Sequence, residues 1–180
     1  MIEIRIHGRG GQGNVAAAEL LSIAAFKDGK FAQAFPSFGA ERVGAPVQAF
    51  VRIDDKKIRT REDVLHPDYI IVQDYSLVEN VPVLDGLKPD GLLLVNSDKS
   101  PEELKLKTTA TVETIPATEI AIEIIGRPIP NAIMIGAFCS ITGLVSLEAV
   151  QEAIMARFPG IVGENNVAAL ERAHEIMQKR

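Results

Sequence analysis

Ile2, Ile4 and Ile6 alternate with Glu3, Arg5 and His7, a two-residue period that predicts a strand over 2–6. Glycines between Gly8 and Gly13 break it. Val15 to Phe26, rich in alanine and leucine, predicts a helix ended by Asp28–Gly29. Phe31–Phe35 predicts a short second strand, Pro36–Pro46 a loop with two prolines and two glycines, and Val47–Asp54 a further strand. Tyr69–Val72 and Gly91–Val95 are apolar runs suited to buried strands. Ser100-Pro101-Glu102-Glu103 predicts a helix start, with serine as cap and Glu103 reaching back to it. Thr111–Ile115 predicts one more strand and Pro116–Ile125 a helix stopped by Gly126 and Pro128. Helices over 131–142, 147–157 and 164–178 complete the chain, with Asn165–Asn166 as a cap near the last start.

Strands that alternate with helices predict an α/β fold, a doubly wound, mainly parallel sheet (Rossmann-like) with additional C-terminal helices. At 180 residues with no repeat or low-complexity linker, the expectation is a single domain spanning 1–180. Pro128 to Leu147 is uncharged, but Pro130, Asn131, Ser140 and Thr142 make it a buried helix rather than a membrane span. Within it Ala132, Gly136 and Ser140 form a small-residue stripe that admits another backbone, of this chain or of a partner.

Charge changes this picture locally. Residues 1–61 carry 10 Lys/Arg against 6 Asp/Glu, while residues 62–180 carry 9 against 18. A basic N-terminal third on a chain of net charge −5 suggests a local anion site rather than nucleic acid as a partner. The one cysteine, Cys139, allows no intrachain disulfide and suits a reducing cytoplasm. A cluster needs about four thiolates, so this chain cannot hold one alone. Cys139 sits in an apolar run and reads as a buried small hydrophobe. Three scattered histidines, His7, His66 and His174, argue against a zinc site.

Gly8-Arg9-Gly10-Gly11-Gln12-Gly13 fits G-x-G-x-x-G between a strand and a helix. Glycines let backbone N–H groups approach a phosphate, and a helix N-terminus adds partial positive charge. Arg9 adds a formal charge. A dinucleotide site also needs an acidic residue at the end of the second strand, and Phe31-Ala32-Gln33-Ala34-Phe35 has none. The turn therefore points to a phosphate-bearing ligand other than NAD or FAD, or to a structural turn. His7 either touches that phosphate or packs structurally. The loop Pro36–Pro46 would lie beside the turn, where Arg42 can fork onto a phosphate and an exposed aromatic can stack on a base. A rigid packing loop with a local Glu41–Arg42 pair reads equally well.

Three blocks carry a resemblance: HGRGGQG at His7–Gly13, QAFPSFGAERVGAPVQAFVRI at Gln33–Ile53 and PDYIIVQD at Pro67–Asp74. Together they resemble the gamma subunit of the pyruvate:ferredoxin oxidoreductase (pyruvate synthase) family. Val43 stands where that family commonly has a second arginine. The resemblance implies a complex of alpha, beta, gamma and delta subunits. That complex decarboxylates pyruvate on thiamine diphosphate with Mg, passes electrons through 4Fe–4S clusters to ferredoxin, and delivers acetyl to coenzyme A. The thiamine, Mg and clusters would belong to partner subunits only. This chain would contribute to the coenzyme A site through Arg9, Gly10, Gly11, Gln12, Gly13, Phe38, Gly39 and Arg42, with no catalytic residue and no metal of its own. Arg52 and Arg59 are weaker candidates. Pyruvate is favoured over other 2-oxoacids, and a purely architectural subunit is the alternative.

Overall fold

In chain order the elements are β1 (Ile2–Arg9), α1 (Asn14–Lys27), β2 (Phe31–Pro36), β3 (Pro46–Asp54), β4 (Tyr69–Val72) and α2 (Ser76–Asn80). They continue with β5 (Leu92–Asn96), β6 (Thr111–Ile115), α3 (Ala117–Ile124), α4 (Asn131–Thr142), α5 (Leu147–Arg157) and α6 (Ile161–Gln178). The computed structural model describes residues 1–37 and 42–180. One six-stranded sheet has the order β2-β3-β1-β4-β5-β6. β1, β4, β5 and β6 pair in parallel, and β3 runs antiparallel to both of its neighbours. The expected mainly parallel sheet is present, with β3 inserted in reverse between β1 and β2. The connection between β2 and β3 is shorter than the dozen or so residues a parallel crossover needs.

Alternation along the strands sorts the core into two layers. Ile4, Ile6, Val51, Ile71, Leu92, Leu94 and Ile115 face the layer that holds α1 and α3–α6. Ile70, Val72, Leu93 and Val95 face a smaller layer that includes Leu77 of α2, Val83 and Leu104. Strands buried on both faces explain why Tyr69–Val72 and the Leu92 segment read as continuous apolar runs. No helix among the described residues is long and apolar enough to cross a membrane.

The small-residue stripe of α4 is consumed within the chain. A Cβ on Gly136 would collide with the Leu170 carbonyl of α6. One turn on, the Ser140 hydroxyl donates to the His174 carbonyl at 3.1 Å. Both pairs are offset by the same interval, so α4 and α6 run side by side in the same direction. Cys139 is 3% exposed, and burial pushes its thiol up to about 12, as suits a small hydrophobe.

Three local expectations are corrected. At Ser100 the predicted cap forms, with Ser100 N–H donating to Glu103 Oε2 at 2.7 Å, but a turn follows instead of a helix. Lys105 takes φ 50°, which ends helical propagation as Leu104 tucks into the core. α6 starts at Ile161, so Asn165 and Asn166 lie within the helix; Asn166 Nδ2 donates back to the Val162 carbonyl at 2.8 Å. Finally, β1 continues through Gly8 to Arg9, because β3 pairs with it as far as Arg9↔Pro46.

Candidate functional site at the carboxyl ends of the parallel strands

Asn14, buried at the head of α1, ties that helix to the sheet. Its Nδ2 donates to the Val47 carbonyl at 3.1 Å, and Gln73 Nε2 donates to its Oδ1. Gly8 is glycine because a Cβ there would overlap the Asn14 side chain. The turn beyond folds on itself: Gln12 N–H donates to the Arg9 carbonyl at 3.0 Å, and Arg9 N–H to Gln12 Oε1 at 2.7 Å. Gly11 has φ 92° with nothing within 4 Å of a Cβ placed on it. Gly13, at φ 80°, precedes α1 without a side-chain cap. The amides of Gly11, Gly13 and Asn14–Ala16 have no acceptor among the described residues, and the Ala17 N–H donates to the Gly13 carbonyl at 2.9 Å.

The second loop joins this turn directly. Gly10 N–H donates to the Ala45 carbonyl at 2.9 Å, and Gly44 N–H to the Gly10 carbonyl at 3.1 Å. A Cβ on Gly10 would strike the Arg42 backbone, so the loop contact requires glycine here. Val43 is 95% exposed and bridges to Gly10. Arg42 is exposed at the same corner. Phe38 and Gly39 lie outside the described residues.

Arg9 is a clamp. Its Nη1 donates to the Gly44 carbonyl at 2.9 Å and its Nη2 to Ser76 Oγ at 2.8 Å, and Nε lies 3.4 Å from Asp74 Oδ2. Gln12 Nε2 also donates to Asp74, at 2.8 Å. Burial raises the Asp74 carboxyl, but hydrogen bonds from Ser76 and Gln12 and the charge of Arg9 together hold it below the usual carboxylate range.

A cleft of about 660 Å³ opens beside the turn. Gly10–Gln12, Gln73–Tyr75 after β4, Asn96–Asp98 at the end of β5 and Thr118–Glu119 of α3 line it. Asn96 organises this wall: Oδ1 accepts from Ala117 N–H at 2.9 Å and Nδ2 donates to the Gln73 carbonyl at 2.9 Å. Asp74, Asp98 and Glu119 make the far wall acidic. These residues were not singled out from sequence. The available signal was their position, each just beyond a parallel strand.

The basic third divides in space. Arg52, 2% exposed, pairs with Glu3 at 2.8 Å near the opposite end of the sheet. Arg59 lies on the segment that leaves that end, away from the turn. His7 takes its structural role: it is 2% exposed, and its Nε2 accepts from Arg5 Nε at 3.0 Å. Burial, then the Arg5 charge, lowers its pKa from 6.5 to about 3. The unfolded chain takes up a proton that the fold refuses, so stability is held above pH 6.5 and lost as pH falls towards 3. The expected slope reaches about 1.4 kcal/mol per pH unit in that window. Urea titrations at several pH values check this. His7→Gln, which keeps an acceptor for Arg5 but does not titrate, should flatten the slope; an unchanged slope removes His7 as its source.

A family model described as "Pyruvate ferredoxin/flavodoxin oxidoreductase" matches residues 3–176. The chain belongs to this family. "Pyruvate synthase subunit PorC" of Methanosarcina barkeri is 58% identical over 156 residues, covering 87% of this chain and 86% of that relative. "Pyruvate/ketoisovalerate oxidoreductases common subunit gamma" of Thermococcus kodakarensis is 54% identical over 176 residues, covering 96% and 95%. The crystal structure of pyruvate oxidoreductase subunit PORC from Thermotoga maritima superposes with TM-score 0.86 at 42% identity, covering 97% of this chain and 95% of that one. The resemblance read from the three blocks is thus shown, and the chain is of the gamma-subunit type. As an oxidoreductase it acts as one subunit of a larger complex. Two of its three blocks, the glycine turn and the Pro36–Pro46 loop, meet at one corner, and the third ends in Gln73 and Asp74 on the cleft wall.

Proposed function

We propose that this gamma subunit holds the phosphate end of coenzyme A in a cytoplasmic pyruvate:ferredoxin oxidoreductase. The reaction is pyruvate + coenzyme A + oxidised ferredoxin to acetyl-coenzyme A + CO2 + reduced ferredoxin, reversibly. Thiamine diphosphate, Mg and the 4Fe–4S clusters then reside on the alpha, beta and delta partners, and this chain contributes positioning. Its single buried thiol does not fit a cluster. The observation that carries the reading is Gly11: positive φ, an open approach, and an uncapped helix N-terminus beside it. The Gly11 and Gly13 amides and the first amides of α1 receive the phosphate; Arg42 supplies charge from the loop, and Phe38 and Gly39 of the same loop are assigned to the ligand. Arg9, Gly10 and Gln12 hold the two loops in register, Arg9 keeping its charge nearby.

The relative named as a common subunit of pyruvate and ketoisovalerate oxidoreductases supports the view that the oxoacid is selected on other chains. A second reading, a purely architectural subunit, is favoured by the acidic cleft wall and by the donors that Arg9 spends internally. Calorimetry of the assembled complex with coenzyme A separates the two. Under the first reading Arg42→Ala weakens binding about tenfold, the low end of a charge-assisted contact as suits an exposed arginine. Equal affinity in both proteins overturns the assignment of Arg42.

A further inference from the structure

The two edges of the sheet are treated differently. At the β6 edge, Arg180 Nη1 donates to the Thr114 carbonyl at 2.7 Å and the same nitrogen lies 3.6 Å from Glu113. That strand is closed by a charged side chain, a usual protection of an exposed edge. The β2 edge, Phe31-Ala32-Gln33-Ala34-Phe35-Pro36, contains no charged residue.

The register identifies which groups β2 leaves open. Ser37 N–H donates to the Gln48 carbonyl at 2.9 Å, one step beyond Pro36↔Ala49. Bonded pairs alternate in an antiparallel ladder, so Gln33↔Arg52 and Phe35↔Phe50 carry the hydrogen bonds. Ala32 and Ala34 then turn their N–H and C=O groups outward, away from β3. No described residue meets them. Exposed phenylalanines flank this row: Phe26 of α1 at 72% and Phe31 at 46%.

Beside the strand runs a basic segment. Gln33 Nε2 donates to the Thr60 carbonyl at 3.0 Å, which places Thr60, with Arg59 and Arg61 on either side of it in sequence, against β2. Lys56, Lys57, Arg59 and Arg61 are exposed, and none is in an ion pair among the described residues. These cations lie away from the glycine turn and the site proposed above. We propose that the β2 edge is a docking surface on which an extended, acidic segment of a partner subunit adds a strand to the sheet, bonding Ala32 and Ala34 and pairing with Lys56–Arg61. The chain acts as one subunit of a larger complex, which selects a partner subunit over a second copy of the chain as the occupant.

Hydrogen exchange on the full chain, alone and in the assembled oxidoreductase, tests this residue by residue. The inward amides of Gln33 and Phe35 should be protected in both states. The outward amides of Ala32 and Ala34 should exchange freely in the lone chain and slow about 100-fold or more on assembly. Ala34→Pro should melt like wild type, since proline is tolerated on an edge strand, yet lose incorporation into the complex. Lys57→Glu with Arg59→Glu should weaken incorporation about tenfold or more and flatten its salt dependence. Ala32 and Ala34 amides that stay fast in the complex overturn the proposal, whatever the variants do. Protection in the lone chain that grows with concentration identifies self-pairing and overturns it equally.

Discussion

Replacing Gly11 with valine is expected to raise the coenzyme A concentration for half-maximal rate about 100-fold, a loss of roughly 2.7 kcal/mol. Two effects combine. No protein atom lies within 4 Å of the new Cβ, so the branched side chain occupies only the open space through which, under the proposed function, a phosphate would reach the Gly11 and Gly13 amides. At φ 92° a β-branched residue also costs about 1–3 kcal/mol of strain, which displaces the turn. Gly11→Asn separates these terms, because asparagine tolerates positive φ while still filling the approach. It should keep the wild-type melting temperature and still lose affinity. Steady-state kinetics of the complex, with thermal unfolding of the chain, reads both. Normal affinity in a folded Gly11→Asn protein would falsify the phosphate cradle.

The largest expected effect on stability is at Gly136. Leucine here would drive a side chain into the backbone of α6 at Leu170, where the glycine Cβ position lies only 3.1 Å from the Leu170 Cα. A clash with backbone cannot be relieved by a rotamer change, so α6 must move away from α4. Overpacking costs typically 1–3 kcal/mol and occasionally more; with the α4–α6 seam opened, about 3 kcal/mol or more is expected. For a chain of this size that lowers the melting temperature by roughly 6–12 °C. Differential scanning calorimetry measures it. Gly136→Ala should lose less, since one methyl asks for a smaller separation. A Gly136→Leu melt within a degree or two of wild type would show that α6 is not held at this point.

The glycine turn illustrates how much of the site was legible. Its strand before, helix after and G-x-G-x-x-G spacing placed Arg9–Gly13 correctly at the head of α1. The division of labour among the glycines was not legible. Gly8 and Gly10 are small for neighbouring protein, the Asn14 side chain and the Arg42 backbone, whereas Gly11 faces open space. All three look alike as letters because the distinction depends on residues distant in sequence. Arg9 is similar: its charge is plain in the sequence, but its partners, Gly44, Ser76 and Asp74, come from two other loops. The apparent basic third likewise proved to be two separate groups, one at the glycine turn and one beside β2, because β3 carries the chain back along the sheet.

Period and punctuation by themselves determined the strands, most helix limits and the α/β class, since these follow from local alternation and from where glycine and proline interrupt it. The three blocks determined the family. Only the tertiary structure decided that β3 is reversed, that the small-residue stripe of α4 receives α6, and that the cleft has an acidic far wall. Each depends on which segments lie side by side after long loops close. No local pattern encodes that proximity, because it comes from burying two faces of one sheet at once.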